Sequence, residues 1–192
     1  LPMVLNEILA FDEDLAFEEE IYNSLKGVYE NFIKKSDEKT GLFPTRYSVG
    51  NDNSLQAGFF GEFFACCMNS WWYNSLCSMA NIALDLSDLN AAKLFANQAK
   101  KVADNYLSVF YNFRDEYLRQ AVTLDLTPGI NVYQNTNTLG LDYTYGKDLL
   151  YKVIKNLANF QATKLYHATG HRAVPLDSEI PCEMWHSCHM NQ

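Results

Sequence analysis

A chain of 192 residues is long enough to bury most of its unfolded surface in a single core or in two small ones. Hydrophobic residues at 48% and charged residues at 20% exclude intrinsic disorder and fibrous repetition as organising principles. The 15 Lys and Arg against 23 Asp and Glu leave a net charge of −8, which repels phosphate backbones and anionic lipid and argues against nucleic acid or a membrane surface as a partner.

From about Asp12 to Lys35, apolar residues recur at three- and four-residue steps (Leu15, Ile21, Leu25, Val28, Phe32) with Glu18, Glu19 and Glu20 in the early turns, the pattern of an amphipathic helix. From Ser36 to about Gly61 turn formers take over: Gly41, Pro44, Gly50, Asp52, Asn53, Gly58. A loop of this length inside a compact domain is uncommon and usually carries function. Helices are expected again from Cys67 to Leu86 and from Asp88 to about Tyr111, the second capped by Ser87. Their short connection makes them an antiparallel hairpin. Between Phe113 and Val132 the periodicity fades around Thr127, Pro128 and Gly129, which predicts an irregular loop or a small two-stranded excursion. A short helix over Gln134–Tyr145, a longer one over Lys147–Tyr166, and a polar tail complete the reading. The fold class is all-α, one helical unit over 1–192, with the long loops gathered on one face in the manner of an α/α toroid.

No run of apolar residues is long enough to cross a membrane. The chain starts at Leu1 without a secretory leader, so a soluble location is expected, cytoplasmic or exported after signal removal. The five cysteines (Cys66, Cys67, Cys77, Cys182, Cys188) form no dense framework, and reduced thiols are the expectation. In the tail, Cys182, Glu183, His186, Cys188 and His189 are close together, but their spacing fits no standard zinc module and adjacent Cys188 and His189 do not easily share one tetrahedral ion. No metal and no other cofactor is expected. Phosphate-binding glycine loops, a nucleophile elbow and a dinucleotide fingerprint are absent from the sequence.

The stretch Gly50-Asn51-Asp52-Asn53-Ser54 resembles the acid-bearing loop of six-hairpin (α/α)6 glycosidases of the trehalase, processing α-glucosidase and glucoamylase-like group, with Asn51 in place of an aromatic residue. Gln134 to Leu141 is similar to a stretch of α-L-rhamnosidase-like toroids, and Cys182-Glu183-Met184-Trp185 to their base segment. The resemblance implies a toroid of which this chain holds about half. Twelve helices of about 20 residues, each about 30 Å long, need more than about 300 residues with their loops. The remainder of a larger chain, or a second copy, is then expected to close the core.

Glycoside cleavage needs one protonated carboxyl and one ionised one. Asp52 is the candidate acid, with an Asx turn as its structural alternative. The second carboxylate implied by the rhamnosidase comparison is Glu183; Glu62 also comes into view from the aromatic run it begins. Arg46, Asn53, Trp71, Trp72, Tyr73, Asn135 and Asn137 are candidate sugar contacts, since ring faces stack on pyranoses while amides and guanidinium bind hydroxyls. Core packing is the alternative for at least one of the two tryptophans. The expected function is a glycoside hydrolase acting by two carboxylates. The alternative is a non-catalytic helical domain that binds carbohydrate or serves as a scaffold.

Overall fold

The computed structural model describes residues 2, 15–46, 62–119, 121–128, 147–160, 162–163, 166–167 and 170–171. Among them the fold is all-α: helices carry the framework, and each strand is only two residues long. Helix α1 spans Leu15–Lys35, with Glu18 in its first turn and Lys34 and Lys35 in its last, charges that complement the helix dipole. Strand β1 (Phe64–Ala65) leads directly into α2 (Cys66–Asp85), and α3 (Leu89–Phe110) runs directly into β2 (Tyr111–Asn112). Strands β3 (Tyr117–Leu118) and β4 (Ala121–Val122) follow, then α4 (Lys147–Phe160), β5 (Tyr166–His167) and β6 (Gly170–His171). The expected helix over Gln134–Tyr145 lies outside the described residues.

Two expectations are corrected. Helix α4 stops at Phe160 and does not reach Tyr166, which instead pairs with His171 across β5 and β6. The apolar period ends there; residues 162–163 form a π turn in which the Thr163 hydroxyl donates to the Asn159 carbonyl at 2.7 Å. The cap of α3 is Asp88, not Ser87: Asp88 Oδ1 accepts from the Ala91 amide at 3.1 Å. Ser87 ends α2 in the left-handed conformation, φ 61°. The Asp88 amide reaches the Ala83 carbonyl and the Ser87 amide reaches that of Leu84, a Schellman closure in which serine stands where glycine is usual.

The chain divides into two compact units, Leu1–Phe43 with Trp71–Asn105 and Pro44–Ser70 with Tyr106–Gln192. In the first, Leu76, Met79, Ile82, Phe95 and Val102 are buried. Tyr29, Phe32 and Phe43 surround Trp72, with Tyr29 stacked on it at 5.8 Å and Phe43 at 5.5 Å. The start of the long loop is docked here. Asp37 Oδ2 accepts from the Thr40 amide and hydroxyl at 2.6 and 2.7 Å, and the Gly41 carbonyl accepts from both Trp72 Nε1 (3.2 Å) and Gln98 Nε2 (3.0 Å). Gly41 has φ +76°, and a Cβ there would lie 3.0 Å from Lys101 Cγ. Gly41→Ala is therefore expected to cost about 1–3 kcal/mol through left-handed strain and crowding. In a thermal melt, Lys101→Ala in the same chain should restore part of that loss by removing two of the three crowding carbons.

Asp88 also ties α1 to the α2–α3 turn, accepting from Lys26 Nζ at 2.6 Å and from the Tyr22 hydroxyl at 2.9 Å. The Lys26 bond first, then the Ala91 amide and Tyr22, hold its pKa down to about 2. A depressed carboxylate stabilises the fold fully above its unfolded pKa and loses that contribution as pH falls through the folded one, here between about pH 4 and 2. Asp88→Asn, which keeps a good cap but no charge, should flatten the acid limb of the stability curve in that window and lower the melting temperature at pH 7. Glu18 acts in the opposite sense. It is buried, and desolvation first, then the charge of Asp85, raise its pKa, so the fold gains from its protonation as pH falls toward the carboxylate range.

In the second unit the first turn of α2 meets the last turn of α3. Cys66 Sγ and the Tyr106 hydroxyl are 2.9 Å apart, both buried, which makes the helices the antiparallel pair the sequence predicts. Burial pushes the Cys66 thiol well above its ordinary pKa, and Cys66, Cys67 and Cys77 carry thiols, not disulfides. Strands β2 and β3 form the small excursion expected after α3, with Tyr111 opposite Leu118 and Asn112 opposite Tyr117. Helix α4 packs here through buried Val153 and through Phe160, whose ring lies 5.5 Å from Tyr117.

Candidate functional site

Residues that flank the two long connections pair with one another in the second unit. Thr45 and Phe63 exchange backbone hydrogen bonds of 2.8 and 2.9 Å, closing the neck of segment 47–61. One residue further on, Phe64 pairs with Val122 and Ala65 with Ala121 in the antiparallel β1–β4 pair. Val122 in turn bridges Pro128, after which segment 129–146 begins. Pro128 has no N–H to offer a further strand and suits this outer edge. The result is a short ladder in the order Thr45, β1, β4, Pro128.

The ladder forms because its residues are apolar on both sides. Phe63, Phe64, Ala65 and Val122 are all buried, and Phe63, Ala65, Cys67 and Ala121 make one core cluster with Met68 against it. Past the ladder, Thr123 folds the chain back: its hydroxyl bonds Asp125 and accepts from the Thr127 amide at 3.0 Å. These bonds to Thr123 first, and then to Thr127, hold the Asp125 carboxyl below its ordinary range.

At the neck, Arg46 Nε and Glu62 Oε1 lie 3.7 Å apart with both side chains largely exposed. An ion pair in that setting adds about 1 kcal/mol or less to stability. It does place a guanidinium fork beside a carboxylate, a donor and acceptor set that hydroxyl-rich ligands can bridge. Glu62, weighed from sequence as a second carboxylate, is thus engaged with Arg46.

Of the sequence-predicted residues, Asp52, Asn53, Asn135, Asn137 and Glu183 lie outside the described residues, as do the tail cysteines and histidines. What the structure describes is the residues next to them: the Thr45–Phe63 bridge flanks segment 47–61, which contains Asp52 and Asn53, and Pro128, which bridges Val122, precedes segment 129–146, which contains Asn135 and Asn137. Trp71 is 42% exposed and available to a ligand. Trp72 is not. It is 7% exposed, enclosed by aromatic rings, and donates its N–H to Gly41. It belongs to the core of the first unit and is removed from the sugar contacts. Tyr73 is likewise buried.

Sequence reasoning passed over a polar cluster on the β2–β3 turn. The Asn156 amide of α4 donates to the Tyr111 hydroxyl (3.2 Å) and to Glu116 Oε1 (2.8 Å), and Glu116 has φ 59°. The signal available was the run Asn112-Phe113-Arg114-Asp115-Glu116 just past a helix end, turn-forming at its start but with no periodicity to show its partner.

Among the described residues no group of three or more His, Cys, Asp and Glu side chains could hold a metal ion, and no helix is long and apolar enough to cross a membrane.

No family model matches the sequence, and no curated protein matches it. The fold does have a solved counterpart. A structure titled "Sialidase" superposes with a TM-score of 0.70 at 15% identity, over 85% of this chain and 15% of that one. At this identity the likeness is one of fold. The chain spans about 15% of the length of that protein.

Proposed function

We propose that this chain is the helical part of a carbohydrate-active protein, and that its chemistry is glycoside hydrolysis with Asp52 as general acid. The reading is supported most by the fold likeness to part of a sialidase, a protein whose title names a glycosidase. The shared ladder that flanks the Asp52 and Asn135 segments supports it further, because catalysis requires groups from distant parts of the sequence to converge on one bond. In this reading Glu183 supplies the ionised carboxylate, Arg46, Asn53, Trp71, Asn135 and Asn137 contact the sugar, and the helices complete an α/α toroid with the remainder of a longer chain or a second copy.

Hydrolysis requires no metal in this scheme. The proton for the leaving oxygen comes from the acid, and water or the second carboxylate attacks the anomeric carbon. The direct test is an assay of the purified protein against a panel of 4-nitrophenyl glycosides and the corresponding oligosaccharides. Release of 4-nitrophenol above the buffer rate supports the hydrolase. Oligosaccharide binding without turnover favours the non-catalytic binding domain, and absence of both turnover and binding at millimolar sugar overturns the carbohydrate reading.

A further inference from the structure

The β2–β3 turn presents a large apolar ring that the fold does not bury. Phe113 is 63% exposed, although burying such a ring is among the most favourable steps open to a folding chain. Its position is fixed. Asn112 Oδ1 accepts from the Arg114 and Asp115 amides at 3.0 and 3.2 Å, Asn112 Nδ2 donates to Asp115 at 2.9 Å, and the Glu116 amide closes on the Asn112 carbonyl at 2.8 Å. The Phe113 ring stands edge-on to buried Tyr111, with centroids 4.8 Å apart and planes at 90°. Support from Tyr111 on one side leaves ring surface facing water on the other.

Through Tyr111, two acceptors are brought to the same turn. Asn156 spends its amide hydrogens on Tyr111 and Glu116, so Asn156 Oδ1 and the second Glu116 oxygen are presented as acceptors. A rigid apolar face flanked by acceptors matches a molecule with a patch of C–H on one face and hydroxyl donors at its edge. That is the chemistry of a pyranose.

We propose that Phe113, Glu116 and Asn156 form a carbohydrate-contact subsite at the β2–β3 turn, selective for neutral sugars. Arg114 lies against Asp115 at 3.8 Å, which leaves the Glu116 carboxylate and the net charge of −8 to disfavour an acidic sugar there. The proposal rests on the carbohydrate reading of the chain and adds to it a place and a ligand class that do not involve Asp52.

The test is saturation-transfer NMR on the purified protein with maltotriose, cellotriose, chitotriose and, as the acidic probe, sialyllactose. At least one neutral trisaccharide should bind with millimolar affinity. Phe113→Ala should weaken it by about tenfold or more, as expected for the loss of a stacking ring, while Phe113→Tyr keeps it. Glu116→Gln should weaken it less. Because Phe113 is exposed, an unchanged melting temperature in Phe113→Ala separates lost binding from lost folding. Binding by none of the neutral probes overturns the subsite, as does preference for sialyllactose. Neutral-sugar binding that Phe113→Ala leaves intact also overturns it, while the carbohydrate reading survives, because the sugar then sits elsewhere on the chain.

Discussion

Asp52→Asn should reduce glycoside cleavage by about 10² to 10⁴, the usual worth of a positioned acid, with oligosaccharide binding and the melting temperature nearly unchanged. The amide has almost the carboxyl's shape and can still hold a turn, but it has no proton to give the leaving oxygen. The loss should depend on the leaving group. A 4-nitrophenyl glycoside departs with little protonation and should retain more of its rate than a natural oligosaccharide. Measured as kcat against both substrates, a loss that is equal for the two argues against an acid role. A joint fall in stability and binding makes Asp52 a turn residue and leaves the proposed hydrolysis without its acid.

The adjacent tryptophans should part company when truncated. Trp72→Ala removes a buried ring packed against Tyr29, Phe32 and Phe43 and should cost about 3–5 kcal/mol, the range for aromatic truncation in a core. For a chain of this size that corresponds to a fall in melting temperature of roughly 10 °C or more. Trp72→Phe keeps a ring but loses the hydrogen bond to Gly41, so it should fall between the two. Trp71→Ala removes a side chain with much of its surface already in water and should shift the melting temperature little while weakening oligosaccharide binding. Calorimetry and a binding titration on the three variants check both halves. A stable Trp72→Ala protein would contradict the packing described for the first unit.

The pair also shows what a sequence reveals and what it hides. Helical periodicity places α2 and α3 within a residue of their observed ends, because an apolar stripe on a surface helix repeats with the turn of the helix itself. Periodicity sets Trp71 on the buried stripe of α2 with Met79, Ile82 and Ala83, yet the structure exposes Trp71 and buries Trp72, since which neighbour points inward depends on elements distant in sequence. Here those are the Tyr29 face of α1 and the Gly41 carbonyl. Part of the chain's aromatic content, 14% of its residues, is consumed by that cluster. Ser87 and Asp88 are both good cap residues by type, and only the α2 ending, with Ser87 left-handed, assigns the role to Asp88. The alternation of long and short connections leads to the expectation that the long loops share one face, but it does not show the rungs described beside them. Two-residue strands such as Phe64–Ala65 and Ala121–Val122 are too short to show an alternating pattern. Arg46 and Glu62 stand on either side of segment 47–61, so their pairing follows from the Thr45–Phe63 bridge and not from any local spacing.

That bridge has a consequence for how the chain tolerates change. Because Thr45 and Phe63 are held together by their own backbone bonds and by the buried ladder behind them, the entropic cost of closing what lies between grows only with the logarithm of its length, about 0.6 kcal/mol for each doubling. Replacing 47–61 by a longer or shorter segment therefore places little strain on α2 and α3, provided the two rungs remain. The ladder makes the helical framework and the sequence of the connection separable in evolution. Insertions and deletions can accumulate at this neck while the core beneath it stays under independent selection for packing.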